Sequence, residues 1–136
     1  MSELTNILIV DDEKVVRLAL ARILESRHTH VGQAGDGREA LREMERHPYD
    51  IVLLDLRMPG PDGLTVLKSI KEKWPESEVI VLTGYPTLES AKAAIRVGAY
   101  DYLAKPIEPD KMTEVASSAL RQKRWTLRQE PSPQLH

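Results

Sequence analysis

Apolar residues along the chain fall into two alternating patterns. Residues 7–10 (ILIV), 51–54 (IVLL) and 79–82 (VIVL) are unbroken apolar runs. Runs of four without polar alternation suit strands covered by helices on both faces. Residues 30–34 (HVGQA) are half polar and predict a strand near a sheet edge, and residues 100–104 (YDYLA) predict a short fifth strand. Between these runs the apolar spacing changes to three and four. Val16, Leu20, Ile23 and Leu24 form one helical stripe, with Asp12 as its expected N-cap. Asp36 caps a second helix, in which Ala40, Leu41 and Met44 face inward and His47-Pro48 stops the run. Leu64, Leu67, Ile70 and Trp74 mark a third, ended by Pro75. An alanine-rich fourth covers residues 87–97, with Gly98 as its C′ residue. Pro109-Asp110 opens a fifth, whose buried stripe is Met112, Val115, Ala116, Ala119 and Leu120. Strand then helix, five times over, implies an α/β fold with a five-stranded parallel sheet, doubly wound into three α/β/α layers.

Composition narrows the classes. A chain of 136 residues is expected to form one domain around a single core. Lysine and arginine number 19 against 21 acidic residues, a net charge of −2, which gives no electrostatic case for nucleic-acid or membrane binding by the domain. Cysteine is absent, so disulfides, thiolate metal sites and thiol catalysis are excluded. No apolar run approaches the ~20 residues of a membrane span. The first residues (MSELTNILIVDDE) lack the basic and small-residue features of a signal peptide. The expected location is the cytoplasm.

Chemistry concentrates where the strands end. In a parallel sheet with right-handed crossovers all carboxyl ends share one edge, and ligands bind there. The first strand ends on Asp11 and Asp12, the third on Asp55, the fourth on Thr83 and the fifth on Lys105. Each could be an independent turn cap. Three converging carboxylates, however, repel one another unless a cation intervenes. A hard divalent cation takes such oxygen donors, and Mg²⁺ commonly takes one or two carboxylates and keeps its waters. With a lysine and a hydroxyl added, the set suits phosphoryl transfer. A carboxylate with one open face can itself be the nucleophile and form an acyl phosphate.

In combination, ILIVDDE, LLDLRMPGPDG, VLTGY and AYDYLAKP resemble the receiver domain of two-component response regulators, of the chemotaxis-regulator type, over roughly residues 5–122. The resemblance implies a flavodoxin-like (βα)5 fold. It implies that Asp55 is the phosphoacceptor, and that Asp11, Asp12 and Asp55 hold Mg²⁺ together with the backbone carbonyl of Arg57. Thr83 corresponds to the switch hydroxyl, Lys105 to the lysine that pairs with the phosphoryl group, and Tyr102 to the aromatic that turns with the switch. Lys105-Pro106 corresponds to a bond the family usually holds cis, and Gly63 to the glycine that closes the loop after the acceptor. Arg57, Gly84 and Tyr85 occupy variable positions expected to tune the lifetime of the phosphoryl group. The implied donor is a histidine kinase or a phosphotransfer protein. The implied output is a change in the face made by helix 4, strand 5 and helix 5, with a homodimer on phosphorylation as one consequence.

The resemblance also implies a signalling phosphoacceptor that assists only its own phosphorylation and dephosphorylation, not an enzyme acting on outside metabolites. The alternative is a Mg²⁺-dependent phosphatase with an aspartyl nucleophile. Such enzymes of the haloacid-dehalogenase type carry a second aspartate two residues on, where Arg57 stands here. Residues 1–122 are read as the receiver, and 123–136 as a helix extension leading into a disordered tail or linker. The stretch after the fifth helix is too short for a helix-turn-helix, so output is expected through docking or through a domain that follows. LTGYPT and AYDYLAKP resemble receivers attached to transcriptional activators, and Leu120 and Leu127, a heptad apart, suit a dimerising linker. The basic cluster Arg121, Lys123, Arg124 and Arg128 reads as a solvated helix end. The histidines share no metal-ligand spacing.

Overall fold

The computed structural model describes residues 4–58 and 62–129, with side chains described as far as Arg124. Five strands and five helices alternate: β1 (Thr5–Val10), α1 (Lys14–Leu24), β2 (Thr29–Ala34), α2 (Gly37–Arg46), β3 (Ile51–Leu54), α3 (Gly63–Lys73), β4 (Glu78–Thr83), α4 (Leu88–Val97), β5 (Asp101–Ala104) and α5 (Pro109–Gln129). Residues 59–61 of the expected Pro/Gly turn, residues 130–136 of the expected tail, and the side chains of Trp125, Leu127 and Arg128 lie outside what is described.

All strands pair in parallel in one sheet of order β2-β1-β3-β4-β5, with the half-polar β2 at an edge as its pattern predicts. Successive side chains of a strand point to opposite faces, and the two faces divide the core. Leu8, Val10, Val52, Leu54, Val79 and Val81 pack with Ala40, Met44, Leu67, Ile70 and Ala94 of α2, α3 and α4. Ile7, Ile9, Ile51, Leu53, Ile80 and Leu82 pack with Leu20, Leu24, Met112, Val115 and Ala119 of α1 and α5. Burial of both faces is why the central strands read as unbroken apolar runs.

Element ends follow backbone pairing more than hydropathy. β1 begins two residues before its apolar run because Thr5 and Asn6 pair with Thr29 and His30 whatever their side chains. β5 begins at Asp101, so Tyr100 falls just outside it, its N–H bonded to the Val79 carbonyl at 2.7 Å. Asp36 caps α2 by accepting from Glu39 N–H, and Thr87 caps α4 by accepting from Ser90 N–H. Gly98 ends α4 at φ 122°, a left-handed conformation open to glycine. Asp12 does not cap α1. The cap position is Glu13, which makes no side-chain cap bond, and its own N–H donates to Asp11 Oδ1 at 2.9 Å. Near the end of α5, half-buried Lys123 pairs with Asp50, the residue that leads into β3. No described helix is long and apolar enough to cross a membrane.

Candidate functional site

Backbone bonds carry the ladders one residue past β1, β3 and β5 and so fix the site in register. Asp11 N–H donates to the Ala34 carbonyl at 3.1 Å, Asp55 N–H to Val10 at 3.0 Å, and Lys105 N–H to Thr83 at 2.8 Å. The three central strands then use the same local device. Asp11 Oδ1 accepts from Glu13 N–H at 2.9 Å, Asp55 Oδ1 from Arg57 N–H at 2.9 Å, and Thr83 Oγ1 from Tyr85 N–H at 3.1 Å. Each side chain thus holds the N–H two residues on, which turns the chain sharply and pins the side chain. The turn-cap reading of these residues is therefore true of one oxygen on each carboxylate.

The other oxygens meet. Lys105 Nζ lies 3.0 Å from Asp55 Oδ2 and 2.5 Å from Asp11 Oδ2. Asp11 and Asp55 are 2% and 7% exposed, so this ammonium is set between two buried carboxylates. Burial alone would lower the Lys105 pKa, but hydrogen bonding to Asp11 and Asp55 and their charges outweigh it, and the net shift is upward. Asp12 is exposed, yet it contributes an oxygen to a group of three carboxylates whose candidate ligand atoms all lie within 4.8 Å of one another. The donor set is hard oxygen without nitrogen or sulfur, which fits Mg²⁺ and not a soft metal.

Thr83, 1% exposed, sits at the end of β4. Among the described residues no hydrogen bond joins it to Asp55 or to Tyr102. Tyr102 is half-buried on β5, and its hydroxyl bonds to Ser90 Oγ and accepts from Thr87 N–H at 3.2 Å. Over the loops, the Arg57 guanidinium carbon stands 4.2 Å from the centre of the Tyr85 ring. These two loops and the start of α4 enclose a cavity of about 240 Å³ lined by Leu56, Arg57, Asp62, Leu64, Thr83, Tyr85, Thr87 and Ser90. Gly84 leaves open space, because a Cβ there would meet nothing within 4 Å. The Lys105-Pro106 bond is cis, as the resemblance implies.

Three features carried no sequence signal. Ser90 and Thr87 as partners of Tyr102 were legible only as the start of a helix. The Arg57–Tyr85 stack joins two residues 28 positions apart (85 − 57). Arg17, on the first turn of α1, donates from Nη1 to the Asp11 carbonyl at 2.6 Å.

A flavodoxin-like parallel sheet with acidic, hydroxyl and lysine side chains gathered at its carboxyl edge defines a class, and comparison with known proteins places the chain within it. The family described as the response regulator receiver domain matches residues 7–117. The chain belongs to this family, the receiver domains of two-component response regulators. It is 40% identical over 124 residues to the regulatory protein AtoC of Escherichia coli K12, covering 89% of this chain and 26% of that protein. It is 39% identical over 111 residues to an NtrX-like response regulator of Rickettsia bellii, covering 80% and 23%. Among solved structures, a CheY-like receiver domain from Methanospirillum hungatei superposes with a TM-score of 0.87 at 28% identity, covering 91% of this chain and 99% of that one. NtrX from Brucella abortus, in complex with ADP, gives 0.86 at 35% identity, covering 92% and 29%. The chain spans about a quarter of the length of the curated relatives it matches.

Proposed function

We propose that the domain is a Mg²⁺-dependent phosphoacceptor switch, taking a phosphoryl group on Asp55 from a histidine kinase or a phosphotransfer protein. The observation that carries this reading is the placement of Asp55. Its Oδ1 is tied down by Arg57 N–H while Oδ2 faces the Lys105 ammonium, beside Asp11 and Asp12. In the transfer, the P–N bond of a phosphohistidine breaks, its electron pair stays with the imidazole, and a P–O bond forms to Asp55. Asp11, Asp12, Asp55 and the Arg57 carbonyl would hold the Mg²⁺, which when bound neutralises charge on the phosphoryl oxygens. Lys105 is already in contact with Asp55 and supplies a second positive charge to the same oxygens. The Thr83 hydroxyl, at the neighbouring strand end, donates to the phosphoryl group once it forms.

The signal leaves through α4, β5 and α5. Movement of Thr83 alters the space beside Tyr102, whose hydroxyl now ties β5 to the start of α4. Tyr85, Leu88 and Ile95 are large exposed apolar side chains on or beside α4, which supports self-association or docking of that face when its shape changes. The domain thus promotes its own phosphorylation and hydrolysis and acts on no outside metabolite. It works in the cytoplasm and does not bind nucleic acid or membrane through this unit. Residues 1–122 form the receiver, and 123–136 serve as a helix extension followed by a tail or a linker.

Incubation with acetyl phosphate and Mg²⁺ should add one phosphoryl group by intact mass, and Asp55→Asn should abolish the addition. Sustained hydrolysis of a chromogenic phosphate ester that Asp55→Asn removes would overturn this reading in favour of an aspartyl-nucleophile phosphatase.

A further inference from the structure

Arg17 stands at an unfavourable place for a cation. It lies in the first turn of α1, where the helix field favours negative charge, and that turn contains no acidic residue. The side chain is nevertheless anchored twice. Nη1 donates to the Asp11 carbonyl at 2.6 Å, and Nε to Oε1 of Gln33 in the edge strand β2 at 3.2 Å. Gly35 lies alongside it: a Cβ built there would stand 3.5 Å from Nη1 and 3.7 Å from Glu39 Oε1, at ordinary contact. Glu39 Oε1 in turn accepts from Gly35 N–H.

What the anchor holds is the peptide between the two acidic residues. The carboxylate of Asp11 is fixed at both oxygens, by Glu13 N–H and by Lys105. That of Asp12 is exposed, and no hydrogen bond from a described residue holds it. Because the peptide unit is planar, fixing the Asp11 carbonyl fixes where the Asp12 Cα stands and from which side its carboxylate faces the other two. We propose that Arg17 is a positioning residue for the acidic cation site, holding the Asp11–Asp12 peptide so that Asp12 completes the group with Asp11 and Asp55. This rests on reading those three carboxylates as the Mg²⁺ site.

Two consequences of removing Arg17 have opposite signs, which makes the idea testable. As a bare positive charge near three carboxylates, the guanidinium opposes a second cation, so its loss should tighten metal binding. As a positioning group, its loss should weaken binding, roughly tenfold for a partner one layer behind the ligands. The experiment is titration with Mn²⁺, followed by its electron paramagnetic resonance signal, on wild-type, Arg17→Met, Arg17→Lys and Gln33→Leu proteins. Circular dichroism in metal-free buffer establishes folding of each. Arg17→Met is expected to bind Mn²⁺ roughly tenfold more weakly. Arg17→Lys keeps the charge but cannot reach both anchors as a planar fork, so it should also weaken binding. Gln33→Leu, at an exposed edge position, should weaken it less. If Arg17→Met does not fold, the lysine and Gln33 variants carry the test. Unchanged or tighter binding in the folded variants, with a wild type that binds, overturns this inference alone. A wild type that takes up no Mn²⁺ overturns the metal-site reading and this inference together.

Discussion

The hydroxyl of Tyr102, on the edge strand β5, is hydrogen-bonded to the hydroxyl of Ser90 in the first turn of α4. The same tyrosine oxygen accepts from Thr87 N–H, so the start of α4 and the middle of β5 are joined through one side chain. Its ring also packs against the core beneath α2, α3 and α4. Turning Tyr102 therefore requires letting go of the helix cap. Ser90→Ala removes one of the two hydrogen-bond partners of the tyrosine oxygen, worth about 1 kcal/mol net. That should raise the population of the released conformation about fivefold. A fluorine resonance from fluorotyrosine at position 102 reports the two environments. A spectrum unchanged by Ser90→Ala would show that the serine does not bias the switch.

Lys105 predicts how stability depends on pH. Its pKa is raised in the fold, because hydrogen bonds and charge from Asp11 and Asp55 exceed the cost of burial. A raised pKa means the contribution is fully present below the ordinary lysine value of about 10.4 and is lost only as pH rises through the folded value. Lys105→Met should destabilise by about 3 kcal/mol at neutral pH by leaving two buried carboxylates without their cation. The gap in urea midpoints between wild type and variant should be flat through neutral pH and close above about pH 10.4. Mg²⁺ should narrow it, because a cation on carboxylates that have lost their lysine binds the native variant more tightly than the native wild type and so stabilises it more. A gap that grows with alkalinity contradicts the assignment.

The parts of this molecule that could be read from sequence are those governed by periodicity and by strand ends. The apolar runs at 7–10, 51–54 and 79–82 fixed the central strands because both sheet faces are buried. The half-polar HVGQA run fell at an edge because fewer of its side chains are covered. Parallel pairing then dictated that Asp11, Asp55, Thr83 and Lys105 share one edge. Contacts between side chains on different elements obey no such period. His30 and His47 share no motif spacing, yet both rings gather around Tyr49, with His47 and Tyr49 centroids 4.8 Å apart, because β2 and the end of α2 are neighbours only in the fold. Asp12 failed as a helix cap because the helix boundary falls one residue later than the apolar spacing implied. The helix starts at Lys14 with Glu13 in the cap position, which leaves Asp12 one residue outside it and exposed beside Asp11 and Asp55.

Arg57 and Tyr85 predict the lifetime of the phosphoryl group. Their cation–π stack joins the loops that follow β3 and β4, and at an exposed site such a pair is worth about 0.5–1 kcal/mol. If the stack shields a phosphoryl group on Asp55, Tyr85→Ala should admit water and speed loss of the label about two- to fivefold. Decay of the phosphorylated mass after removal of the donor measures it. Slower decay in the variant would mean that the stack admits water instead of excluding it.

Gly63 supplies the sharpest stability test, because what crowds it is backbone. It is the first residue of α3 and buried, and an added Cβ would fall 2.5 Å from the Cα and 2.7 Å from the carbonyl oxygen of Leu56. Leu56 directly follows Asp55, so the only relief is a shift of α3 or of the segment that carries Asp55. Gly63→Ala should cost about 1–3 kcal/mol by overpacking and should slow labelling of Asp55. Gly84→Ala is the internal control, since a Cβ there meets nothing within 4 Å and the residue lacks a positive φ. It should be neutral or stabilise by about 0.5 kcal/mol through the unfolded chain. Urea denaturation of the two variants side by side decides the matter. Equal destabilisation would mean that the approach of α3 to Leu56 does not limit the site.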